Sequence, residues 1–136
     1  MNKNDMVFAC RGTQPRQYND IKADARSWPI VSETVGRVHS GFKGEVDKLW
    51  GRIKEDIIRE QNKRDLYFIG HSLGAAMSTI LASRCRGDTE IVDPVELHTF
   101  GSPRVGWHNY INHFPMLHYR WAVSYTHLTL PTILLV

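Results

Sequence analysis

Cysteine is scarce in this 136-residue chain, and membrane-spanning and metal-binding patterns are missing. The two cysteines, Cys10 and Cys85, stand in apolar surroundings, which favours two free thiols and a reducing compartment over a disulfide. No apolar run reaches the length of about 20 residues that spans a bilayer. The chain has no Cys-x-x-Cys, no His-Glu-x-x-His and no phosphate-binding glycine loop, so we expect neither a metal nor a cofactor.

The chain also lacks a large excess of positive or negative side chains. Lys and Arg total 17 against 14 Asp and Glu, and the two signs alternate along residues 43–56. This pattern is typical of a solvated helix face and argues against a nucleic-acid partner. The same helix carries an apolar stripe, for which we predict core packing. Its members are Val46, Leu49, Trp50, Ile53 and Ile57.

The most informative segment is residues 66–82, which contain a Gly-x-Ser-x-Gly pentapeptide centred on Ser72. Leu66–Ile69 are continuously apolar, as in a buried parallel strand, and Leu73–Ala82 are almost all small or apolar, as in a buried helix. A serine on such a strand-to-helix turn is exposed for nucleophilic attack. The alternative is a helix N-cap serine after a glycine turn, but the flanking elements favour a nucleophile.

Four further segments surround this motif in a fixed order. They are Val-Phe-Ala-Cys-Arg-Gly-Thr at 7–13, Asp-Ile-Lys-Ala-Asp at 20–24, Val-His-Ser-Gly-Phe at 38–42 and Thr-Phe-Gly-Ser-Pro-Arg-Val-Gly at 99–106. Together they resemble the class-three (fungal-type) lipases of the α/β-hydrolase superfamily. The resemblance implies a partial α/β-hydrolase fold, in which helices flank a mostly parallel sheet. It also implies truncation at the C-terminus and a shortened N-terminus.

The resemblance assigns Ser72 as the nucleophile and the backbone N–H of Leu73 and Thr13 as the oxyanion-hole donors. Two such donors stabilise the negative oxygen that develops when a hydroxyl attacks an ester. It further implies a lipid ester substrate at a lipid–water interface. The segment around residues 19–25 is then either a lid over the serine or an ordered surface loop. Ile21 stands where the family's lid motif usually has Trp, and Ala75 replaces a common second glycine.

A nucleophilic serine needs a histidine and a carboxylate, which follow the serine in this fold. The histidines beyond Ser72 are His98, His108, His113, His118 and His127, and the acids are Asp88, Glu90, Asp93 and Glu96. None matches the family pattern, in which the acid comes just after the strand corresponding to residues 117–121. We therefore expect the triad Asp and His to be absent from this chain.

The tail at 123–136 contains no Lys, Arg, Asp or Glu. It can be back-translated, codon by codon, into the transposon-end adapter of short-read sequencing libraries. We therefore predict a partial lipase-like domain over 1–122 and a non-native tail over 123–136. His127 is then no candidate base. The alternative is a genuine apolar, Thr-rich strand.

These observations predict a serine carboxylester hydrolase of the triacylglycerol lipase type, working through an acyl-serine intermediate in lipid metabolism. The chain itself is expected to be nearly inactive without a triad acid and histidine. Two alternatives stay within the enzymes, a phospholipase A1 and a general esterase. A third is a catalytically dead, lipid-binding module with the same fold.

Overall fold

The computed structural model describes residues 4–12, 29–32, 36–106, 108–112, 114, 116–124 and 132–134. In chain order its elements are β1 (Asp5–Cys10), β2 (Pro29–Val31), β3 (Arg37–His39), α1 (Ser40–Glu60), β4 (Asp65–His71), α2 (Leu73–Gly87), β5 (Pro94–Phe100), α3 (His108–Asn112), β6 (Leu117–Ser124) and β7 (Thr132–Leu134).

Five strands form one sheet in the order β1-β4-β5-β6-β7. The first four are mutually parallel, and β7 pairs antiparallel with β6. Strands β2 and β3 form a separate antiparallel pair. Parallel strands need long crossover connections, which α2 and α3 provide between β4, β5 and β6. The mostly parallel sheet with flanking helices confirms the predicted α/β fold class.

Helix α2 is the centre of the core. It packs on β1, β4 and β5, and α1 packs on its outer side. Every residue of α2 from Leu73 to Cys85 is buried, which confirms the prediction of a buried helix over Leu73–Ala82 and extends it by three residues. The one charged residue in that buried stretch, Arg84, forms an ion pair with Asp47 of α1 and lies 5.6 Å from the ring centroid of Trp50. A buried charge is tolerated only when it is paired in this way.

The apolar stripe of α1 packs on the core with one exception. Val46 and Ile57 are fully buried, and Trp50 and Ile53 are partly buried against the same cluster. The prediction for Leu49 was wrong, because 44% of it is exposed. Helix α1 contacts chiefly another helix, so its buried stripe is narrower than that of a helix lying on a sheet.

Candidate active site

Ser72 lies on the turn between β4 and α2 with φ 54° and ψ −121°. A positive φ is costly for a residue with a side chain and persists only where the surrounding structure imposes it. Here the Ser72 N–H donates to the Phe100 carbonyl at 2.9 Å, and its carbonyl accepts from the Ala75 N–H at 3.0 Å. The serine is thereby tied to both the end of β5 and the first turn of α2.

The glycines of the pentapeptide permit close backbone approach. A Cβ on Gly70 would lie 2.7 Å from the Ala75 nitrogen, and a Cβ on Gly74 would lie 2.8 Å from the Arg11 carbonyl carbon. Contacts that short do not occur in real structures, so each glycine is required by its neighbour's backbone. The Gly-x-Ser-x-Gly spacing therefore reflects the packing of α2 against β1 and β4.

Ser72 lies between the first turn of α2 and the turn after β1. Leu73 is the first residue of α2, where backbone N–H groups have no partner within the helix and the macrodipole favours negative charge. On the other side, a Cβ built on Gly12 would lie 3.6 Å from the Ser72 Cβ, so the turn after β1 adjoins the serine. Thr13 follows that turn and lies outside the described residues, as does the predicted lid segment at 20–24.

The Ser72 side chain makes no capping hydrogen bond to the first turn of α2. The parallel register aligns His71, Phe100 and Trp121 across three strands, so the residues after Trp121 occupy the same sheet edge as Ser72. The residues there are Ala122, Val123 and Ser124, which carry no carboxylate. The described residues that follow Trp121 at this edge therefore offer Ser72 no carboxylate.

Two histidines make polar pairs elsewhere in the sheet. His98 Nε2 lies 2.8 Å from Glu96 Oε2, and His118 Nε2 lies 2.7 Å from Thr99 Oγ1. Sequence reasoning did not identify either pair. The pairing of His98 with Glu96 could have been predicted from the sequence, because residues two apart on a strand lie on the same face of the sheet. The second depends on the pairing of β5 with β6.

His39 has a structural role at the N-terminus of α1. Its Nδ1 accepts a hydrogen bond from the Gly41 N–H at 3.2 Å, which caps α1, and its ring stacks on Phe42.

Cys10 and Cys85 are both free, as predicted. Burial raises the pKa of both thiols, that of Cys85 to about 12, so neither is an activated nucleophile.

The burial of His118 makes stability depend on pH. Burial, followed by the charge of Arg120 and by His98, lowers the pKa of His118 from 6.5 to about 4. The unfolded chain therefore binds this proton more readily than the folded one, and stability falls as pH decreases from 6.5 towards 4. Allowing for partial solvent access, we expect about 1–2 kcal/mol of unfolding free energy to be lost over this range.

Chemical denaturation at several pH values, in wild type and in His118→Gln, measures this contribution. Glutamine retains a hydrogen-bonding group for Thr99 but does not titrate, so the variant should lose less stability on acidification. An identical pH dependence in both proteins would show that His118 does not contribute.

Among the described residues no cluster of His, Cys, Asp or Glu could hold a metal ion. In the same residues, none of the helices has both the length and the apolarity needed to cross a bilayer.

Comparison with known proteins gives consistent matches. A model of the lipase (class 3) family matches residues 7–132. The secreted mono- and diacylglycerol lipase A of Penicillium cyclopium is 39% identical over 64 residues, which are 42% of this chain and 20% of that protein. The secreted mono- and diacylglycerol lipase 1 of Fusarium solani is 36% identical over 72 residues, which are 51% of this chain and 21% of that protein.

Solved structures match over most of the chain. A fungal lipase–inhibitor complex superimposes with a TM-score of 0.68 at 19% identity, covering 88% of this chain and 49% of that one. The Rhizomucor miehei lipase in its propeptide complex gives a TM-score of 0.65 at 23% identity, and the match covers 87% of this chain and 40% of that one. Such identities establish a shared fold. The match covers about half the length of the fungal lipase in the inhibitor complex. It covers about a fifth of the length of each of the two curated relatives.

Proposed function

Because the chain belongs to the class 3 lipase family, we propose that Ser72 is the nucleophile of a serine carboxylester hydrolase of the triacylglycerol lipase type. The observation that carries this proposal is the strained turn at Ser72, held between β5 and α2. Strain of this kind at a half-buried polar side chain points to function, because a cap or turn residue does not require it.

In the proposed mechanism, Ser72 Oγ attacks the ester carbonyl carbon while a histidine accepts its proton. The carbonyl oxygen becomes an oxyanion, stabilised by the Leu73 N–H and by Thr13. The intermediate collapses to an acyl-Ser72 and releases the alcohol, and water then cleaves the acyl-enzyme by the same steps. No cofactor takes part. The relatives' names make mono- and diacylglycerols the first substrates to test alongside triacylglycerols.

The expected absence of the triad histidine and acid bears on the chain's own activity. We propose that the 136-residue chain is nearly inactive, because oxyanion stabilisation and binding alone leave roughly 10³-fold to 10⁴-fold acceleration over water. We also propose that residues 1–122 are the lipase-like part and 123–136 a non-native tail. The codon agreement supports this boundary; the family match to residue 132 and the strand at 132–134 count against it. Resequencing the parent DNA across the Ala122 codon decides between them.

A catalytically dead lipid-binding module is the second candidate. It is favoured by one observation, that no Asp or Glu follows Glu96 in this chain, so β6 is not followed by an acid here. In that case the native sequence after Trp121 would also lack an Asp followed by a His.

Two assays of the full-length protein test the other enzyme alternatives. Comparing hydrolysis of phosphatidylcholine with that of triacylglycerol distinguishes a phospholipase A1 from a lipase. A rate increase above the solubility limit of a short-chain ester would argue against a general esterase.

Labelling with a fluorophosphonate tests the nucleophile in the full-length protein. We expect modification of the tryptic peptide that contains Ser72, and its loss in Ser72→Ala. Ser102→Ala is the matched control, because Ser102 follows β5 at the same sheet edge and should leave labelling unchanged. Labelling that persists in Ser72→Ala, or a full-length protein that does not label, would contradict the proposal.

A further inference from the structure

A second candidate site lies away from Ser72, on the flank of α2. It is a cavity of about 350 Å³ bounded by α2, α3, β6 and the turn at 102–106. Neither Ser72 nor Leu73 lines it. Its volume is at the lower end of the range that holds small ligands, about 300–1,000 Å³.

The described lining carries positive charge without negative charge. Arg104 and Arg120 contribute guanidinium groups, and no Asp or Glu is present in the lining. The sequence explains this asymmetry, since the chain has no acidic residue after Glu96. Arg120 donates to the Ser102 carbonyl at 3.1 Å, a contact that positions the guanidinium and leaves its charge uncompensated. Arginine in this setting is suited to bidentate recognition of a carboxylate or phosphate.

Most of the remaining lining is apolar. Tyr110 is 3% exposed and Val105 8% exposed, and Phe114 and Met116 pack against the same core cluster. His118 also faces the cavity, and its lowered pKa leaves it neutral at pH 7. Apolar walls beside a cationic edge complement a molecule with a short hydrocarbon chain and an anionic end.

We propose that this cavity binds an amphipathic anion, with its hydrocarbon chain against the apolar walls and its anionic headgroup held by Arg120 and Arg104. A fatty-acid carboxylate and a phosphate monoester share this chemistry. The site is separate from the proposed nucleophile, so binding can be measured whether or not the protein hydrolyses esters.

Isothermal titration of the protein with decanoate, decyl phosphate and decanol, each below its micelle concentration, tests the proposal. We expect at least one of the anions to bind at least tenfold more tightly than decanol, and the tighter of the two identifies the headgroup. Arg120→Gln should weaken that binding by about tenfold or more, since a hydrogen bond to a charged group contributes about 1.5–3 kcal/mol. Arg86→Gln is the control, because Arg86 pairs with Asp93 on the surface and does not line the cavity.

Met116→Trp provides a second test, because it fills the cavity without altering its charge. This variant should also lose decanoate and decyl phosphate binding, and circular dichroism establishes that it is folded. Equal affinity for decanol and both anions would overturn the proposal. So would equal losses in Arg120→Gln and Arg86→Gln, or unchanged binding in a folded Met116→Trp. If Met116→Trp does not fold, the comparison of the two arginine variants decides.

Discussion

Replacing Ser72 with glycine should abolish ester hydrolysis by the full-length protein and at the same time make the protein more stable. The loss of a triad serine lowers kcat by about a millionfold in a well-studied serine protease, and a similar loss is expected here. Stability should rise because glycine adopts the positive φ of residue 72 without steric cost, whereas other residues are strained there by about 1–3 kcal/mol. The gain in unfolding free energy should be about 1 kcal/mol after glycine's greater unfolded-state entropy is subtracted.

Ser72→Ala separates the two effects. Alanine removes the hydroxyl but keeps a Cβ, so it should be as inactive as glycine without the gain in stability. Activity on a soluble nitrophenyl ester and thermal denaturation of the three proteins provide both measurements. Equal stability of the glycine and alanine variants would show that the turn at Ser72 is not strained, and residual activity in both would show that another residue is the nucleophile.

Gly74→Ala should destabilise the protein by about 3 kcal/mol or more, a large effect for one methyl group. The new Cβ would lie 2.7 Å from the Cys10 carbonyl carbon and 2.8 Å from that of Arg11. Both atoms belong to the backbone, so the only relief is to move β1 away from α2. That movement opens the contact that buries the first turn of α2 and also displaces the turn next to Ser72.

Gly51→Ala is the matched control, since a Cβ on Gly51 meets nothing within 4 Å. Gly51 lies in the interior of α1, where alanine is favoured over glycine by about 1 kcal/mol. The same chemical change should therefore have opposite signs at the two positions, as measured by urea denaturation. A Gly74→Ala protein as stable as wild type would show that α2 and β1 can separate at little cost.

Much of the fold was predictable, because the relevant signals are local. The strand at Leu66–Ile69, the buried helix after it and the glycines between them each require a particular backbone, and the structure has all three. The strand is less buried than predicted, because only Leu66 and Phe68 are buried and Tyr67 and Ile69 are half-buried. Leu49 was misassigned because helical spacing does not show how wide a stripe the neighbouring element covers. The pairing of His118 with Thr99 was not predictable, since the two residues are 19 apart in sequence and meet only through the alignment of β5 with β6. The roles of Ser72, Leu73 and Thr13 stay predictions, and Thr13 lies outside the described residues.

The strand order has a consequence for how the molecule folds. From β4 to β6 each strand is added beside the one that precedes it in the chain, so the sheet extends in one direction. The pairing of these parallel strands must wait for the helices that connect them, which slows assembly, and during synthesis each strand emerges after its neighbour. The hydrogen bond from the Ser72 N–H to Phe100 needs only β4, α2 and β5. The geometry at Ser72 can therefore be complete before β6 joins the sheet.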